Sequence, residues 1–163
     1  MIDAVAGLDA RVLVTTGRGF DPARLRDVPG NVHVEAWVDQ ADVLGEAELV
    51  VCHGGSGTTY GALAAGVPLV VVPVFADQFA NAPKVAQAGV GIQVHTGQDP
   101  EGRRRPAGRE DTLQIRRAIE TVLADGSYRE AARAVAADMA AAPAIGTLLG
   151  QLPGITDTRR ESR

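Results

Sequence analysis

A chain of 163 residues, 45% hydrophobic and 22% charged, has the length and composition of one globular domain with its own core. Sixteen basic against 20 acidic residues give a formal net charge of −4, so charge as a whole supplies no argument for nucleic acid or an anionic membrane as partner. The single Cys52 excludes an intrachain disulfide. No run of about 18 apolar residues and no basic start with an apolar core is present, so neither a membrane span nor a secretion signal is readable and a cytoplasmic location is expected.

In chain order, Ile2 to Leu8 reads as the end of a short helix and Arg11 to Thr15 as a buried strand, closed by Gly17 and Gly19. Asp21 and Pro22 make a cap and first-turn pair for a helical segment reaching about Arg26. Val28 to Asn31 is a turn. Val32 to Ala36 alternates as VHVEA and predicts a strand with one face less buried, which makes His33 a structural or solvent-facing residue. Trp37 follows; taken alone it reads as a half-buried core aromatic. Gln40 to Ala47 is a short helix, and Glu48 to Cys52 the next strand.

That strand runs into His53-Gly54-Gly55-Ser56-Gly57-Thr58-Thr59, the most informative turn in the chain. Its three glycines let the backbone approach a ligand closely. The helix that follows, running to about Ala65 and stopped by Gly66 and Pro68, begins with N–H groups that have no intrahelical acceptor. An anion fits there, and a diphosphate gains from the helix dipole and from the hydroxyls of Ser56, Thr58 and Thr59. No lysine stands in the turn, so it is not a P-loop, and GGSGTTYG fits the dinucleotide fingerprint GxGxxG poorly. Leu69 to Val72 is a strand ending at Pro73. Asp77 and Gln78 then either cap a helix or hydrogen-bond sugar hydroxyls; because Pro83 suits a position near a helix start, the regular helix is placed from about Asn81.

Gly89 and Gly91 frame a strand, Ile92 to Val94. His95 to Gly108, with the basic run Arg103 to Arg105, reads as a solvated flexible insertion. Ile115, Ala118, Ile119, Val122 and Leu123 form one helical stripe. Gly126 ends that helix, and Ser127 with Glu130 predicts a capping box opening the next, whose inner face is Tyr128, Ala131, Val135 and Met139. Pro143 stops it. Leu148 to Leu152 reads as a last apolar turn and 153–163 as a disordered tail.

Alternating strands and helices predict a doubly wound α/β domain with a mostly parallel sheet, whose ligands lie beyond the carboxyl ends of the strands. The combination HGGSGTT, AAGVPLVVVPVFADQ and a helix near Asn81 resembles the donor-binding half of GT-B glycosyltransferases, the two-Rossmann-domain enzymes that use UDP- and dTDP-sugars. The likeness is greatest to bacterial members acting on antibiotic aglycones. The resemblance covers residues 2–150 and implies a donor domain over 1–152. It implies that His53, Gly55, Ser56, Gly57 and Thr58 surround the diphosphate. It further implies that Trp37, Val38 and Gln40 form the base site, by indole stacking and backbone hydrogen bonds, and that Asp77 and Gln78 contact the sugar. No metal and no cofactor is implied beyond the donor, and the catalytic base belongs to an acceptor-binding N-terminal domain that the chain does not contain, supplied by that domain or a partner chain. Where related plant enzymes carry a ribose-binding Glu this chain has Gly61, and Ser56 replaces their bulky Trp, so UDP and dTDP stay open. Related domains also have one more central strand before Ile2, so a gap is expected between the strands at Arg11–Thr15 and Glu48–Cys52. Two readings follow: the donor half of an inverting hexosyltransferase, inactive in isolation, or a non-catalytic nucleotide-binding or protein-interaction module.

Overall fold

The computed structural model describes residues 2–97, 105–143 and 146–147. Helix α1 (Ile2–Val5) precedes β1 (Val12–Thr15), a 3-10 turn at Pro22–Arg24 and β2 (Val32–Glu35). Then come α2 (Gln40–Leu44), β3 (Val50–Cys52), α3 (Ser56–Ala64), β4 (Leu69–Val71), α4 (Gln78–Gln87), β5 (Gly91–Gln93), α5 (Arg109–Ala124) and α6 (Gly126–Ala141). All pairings are parallel. Val12 to Thr15 face Val32 to Glu35 in register; Val50 to Cys52 face Leu69 to Val71, which in turn face Gly91 to Gln93.

The run LVVV places β4 at the centre, buried on both faces. Alternation sends Val70 and Val72 to one core, shared with Ala4 and Val5 of α1 and with Ile115, Ala118, Ile119 and Val122 of α5. Leu69 and Val71 go to the other core, with Ala62 of α3, Ala82 and Val85 of α4 and Ala132 of α6. Helices on both faces of a parallel sheet make the doubly wound arrangement read from the sequence. The sheet is in two pieces, β1-β2 and β3-β4-β5, divided at the gap the resemblance implied. Both pieces nonetheless pack on one core, to which Val12, Val32 and Val51 contribute.

Several local expectations are corrected. Helix α4 begins at Gln78, not Asn81, and runs through Pro83, which forgoes only the bond that the Phe79 carbonyl would accept. Asp125, not Ser127, caps α6: its carboxylate accepts the Ser127 N–H at 2.9 Å, so the capping box is pre-empted two residues earlier. Leu123 and Met139 lie at the margins of their stripes and are exposed, while Ala132 is the buried residue of α6. Arg105 is not a loose member of a solvated insertion. Its guanidinium makes two bonds, of 2.6 and 2.9 Å, to Asp111. The 98–104 part of the insertion, the 148–152 turn and the 153–163 tail lie outside the described residues. His33 faces solvent on β2, bonded to Glu35 at 2.7 Å.

Candidate functional site

Four loops leave the carboxyl ends of β1 to β4 on the same side of the parallel sheet, where a doubly wound fold binds its ligands. The loop after β3 is the turn singled out above. Gly54 has φ +88°, and a Cβ on it would stand 2.6 Å from Val71 Cγ1, so only glycine permits the chain to turn against β4 there. Gly55 is the N-cap of α3 and has no side chain to bond the helix. The first backbone bond back into the cap is made by Thr59 N–H to Gly55 O at 3.0 Å, and among the described residues the N–H groups of Ser56, Gly57 and Thr58 have no acceptor. His53 is exposed and its ring leans over Gly55: a Cβ there would lie 2.5 Å from Nε2.

The flanking loops are tied to this turn by side chains. On the β2 side, Asp39 caps α2 by accepting the Ala41 N–H at 3.0 Å, and Gln40 Nε2 donates to Thr58 Oγ1 at 2.9 Å. Gln40 Oε1 fills the space beside Gly61, 3.5 Å from where a Cβ would be. Trp37 is 53% exposed at the end of β2, with Val38 half-buried behind it. On the β4 side, Ser56 Oγ donates to Asp77 Oδ2 at 3.0 Å. Asn81 Nδ2 bonds Gly54 O at 3.0 Å and Asp77 Oδ2 at 3.2 Å. Asp77 is exposed and makes no side-chain cap to α4, so its second carboxylate oxygen is open.

Gln78 differs from its neighbour. It is only 2% exposed, and its Oε1 accepts the N–H groups of Val74 and Phe75 at 2.8 and 2.9 Å, fixing the loop that carries Ala76 at φ +55° into Asp77. Among the described residues its amide nitrogen has no partner, so any contact Gln78 makes with a ligand is a donation from Nε2. Cys52, at the base of the turn, is half-buried; burial pushes its thiol up, against the lowering effect of the Gly54 N–H, which keeps it a neutral packing residue. Two participants escaped the sequence reading. Asn81 was placed as a helix start, yet it knits turn to loop; Arg18 stacks its guanidinium 4.3 Å from the centre of the Trp37 ring. Spacing in the sequence signals neither contact, because Asn81 joins a helix to the glycine turn and Arg18 joins two loops far apart in the chain.

The parallel sheet covered by helices on both faces matches the solved structures of GT-B glycosyltransferases. More narrowly, the chain belongs to the family described as erythromycin biosynthesis protein CIII-like, C-terminal domain, which matches residues 1–152. It is 34% identical over 150 residues to the elloramycin glycosyltransferase ElmGT of Streptomyces olivaceus, covering 92% of this chain and 35% of that protein. The spinosyn rhamnosyltransferase SpnG superposes with a TM-score of 0.76 at 30% identity, over 91% of this chain and 38% of that one. The glycosyltransferase VinC, solved in complex with dTDP, gives 0.73 at 25% identity, over 91% and 35%. The chain thus spans about a third of the length of the proteins it matches. No described helix is long and apolar enough to cross a membrane.

Proposed function

We propose that the chain binds a UDP- or dTDP-sugar and serves as the donor half of an inverting hexosyltransferase acting on a small-molecule acceptor. One observation carries this reading: the three N–H groups at the start of α3 lie between a half-exposed indole, linked through Gln40, and a carboxylate, linked through Ser56. A nucleoside diphosphate sugar has the same order of parts. Trp37 and the backbone at Val38 take the base. Ser56, Gly57, Thr58, Gly55 and His53 take the diphosphate. Asp77, and Gln78 through Nε2, take the sugar hydroxyls. Each charge-assisted bond to the diphosphate contributes about 1.5–3 kcal/mol and the helix end about 0.3–1 kcal/mol.

In the reaction the acceptor oxygen attacks the anomeric carbon as the bond to the diphosphate breaks. The charge that gathers on the leaving group is met by donors already in place, and no metal is needed for this step. The acceptor's proton goes to a base supplied by an acceptor-binding domain or partner chain, so this chain alone gives no transfer. The exposed Val74 and Phe75 beside Asp77 form an apolar border for such a partner, and they equally favour the second reading, a nucleotide-binding module that docks another protein without catalysis.

Calorimetric titration with UDP and dTDP tests the proposal. The wild type should bind at least one of them and His53→Ala should bind it more weakly; a folded wild type that binds neither overturns the reading. Addition of an acceptor-binding domain separates the two versions, since transfer from a nucleotide-sugar should appear only then.

A further inference from the structure

Trp37 is half exposed, and an exposed aromatic ring ordinarily samples several rotamers. Here it does not stand alone. After β1, Gly17 adopts φ +84° and turns the chain; Phe20 N–H donates to Gly17 O at 3.2 Å, and Thr16 Oγ1 donates to Phe20 O at 3.2 Å. This closes residues 16–20 into a tight loop that carries Arg18 over the indole, with Cζ 4.3 Å from the ring centre. Among the described residues Arg18 makes no ion pair, and the ring is its one partner. One face of Trp37 is therefore occupied by a cation, and the residue is still 53% exposed.

Resting on the nucleotide-sugar reading above, we propose that Arg18 is a positioning residue for the nucleotide base: it holds the indole of Trp37 in one orientation and leaves the far face open for stacking. The guanidinium is attracted by the ring quadrupole, and a flat base stacks on the other side, so base, indole and guanidinium form three layers. Affinity rises because the ring is ordered before the ligand arrives. Arg18 acts through Trp37 and not on the diphosphate, which lies at the start of α3.

Trp37 is the only tryptophan, so fluorescence excited to the red of tyrosine absorption reports on this ring alone. The full chain is titrated with dTDP, UDP and inorganic pyrophosphate, following fluorescence and heat, as wild type, Arg18→Met and Arg18→Lys. Arg18→Met should weaken whichever nucleotide binds by about two- to fivefold. It should leave pyrophosphate affinity unchanged, and Arg18→Lys, which keeps a cation near the ring, should recover part of the loss. Arg18→Met binding nucleotide as tightly as wild type overturns the proposal. So does an equal loss for pyrophosphate, which would place the guanidinium's effect on the phosphates or the fold. Failure of the underlying reading looks different: the wild type itself then gives neither quenching nor heat with any of the three ligands.

Discussion

Gly54 and Gly55 are adjacent, yet they serve separate ends, and substitution should show it. At Gly54 an added methyl group meets two obstacles: the left-handed backbone, which costs an L-residue about 1–2 kcal/mol, and Val71 Cγ1 at 2.6 Å in a packed core, where overpacking costs about 1–3 kcal/mol. Gly54→Ala should therefore lower the denaturant midpoint markedly. At Gly55 the backbone is ordinary for a cap, φ −63° and ψ 142°, and the obstacle is the far end of the His53 side chain, which can swing away. Gly55→Ala should cost less stability than Gly54→Ala, the loss being that of a poorer helix cap, while weakening pyrophosphate binding, because the imidazole is displaced from over the turn. Equal stability losses in the two variants would show that His53 is held in place by more than this leaning contact.

Among the elements, α5 is anchored by a residue whose role is electrostatic. Asp111, in its first turn, accepts the N–H of Gly108 at 2.7 Å and of Gly97 at 3.1 Å, besides both terminal nitrogens of Arg105, so one carboxylate ties Gly97, Arg105 and Gly108 to the start of α5. Arg105 is the largest cause, followed by the Gly108 N–H, of a carboxyl held down to about 2 from 3.8. A carboxylate depressed in the folded state stabilises the fold above the unfolded value, near pH 4, and loses that contribution as pH falls through about 2. Asp111→Asn should remove this acid-range dependence and cost about 1.5–3 kcal/mol at neutral pH, read as a lower melting temperature. A melting temperature as sensitive to acid in the variant as in wild type would assign the dependence to other groups. This element also marks where sequence reading ends. The runs VLV, VVC and LVVV, the glycine turn and the α5 stripe were legible because each is a local pattern with its own period. The Arg105–Asp111 clamp, the burial of Gln78 beneath Val74 and Phe75, and Arg18 over Trp37 were not, because each depends on which loops the fold brings together.

For the molecule as a whole, the split sheet sets where stability resides. In a parallel strand alternate residues point their N–H and C=O to opposite sides. Val12 and Thr16 donate to β2, and Val50 donates to the Pro68 carbonyl while the Cys52 carbonyl accepts from Val72, so Leu13 and Thr15 on β1 and Val51 on β3 direct theirs the other way. No hydrogen-bond partner for these three residues' N–H groups occurs among the described residues, and Leu13 is 41% exposed. Unpaired strand edges are templates for another strand, and local opening follows lost protection. Amide exchange should therefore be slowest along β4, bonded on both sides and fully buried, and faster in β1-β2 than in β3-β4-β5. Within single strands it should alternate: Leu13, Thr15 and Val51 should exchange quickly, and Val12, Val14 and Val50 slowly. Uniform protection along β1 and β3 would mean that the gap is closed in solution. If that protection faded on dilution, the strand closing it would come from a second copy; if it persisted, β1 and β3 would have paired with each other.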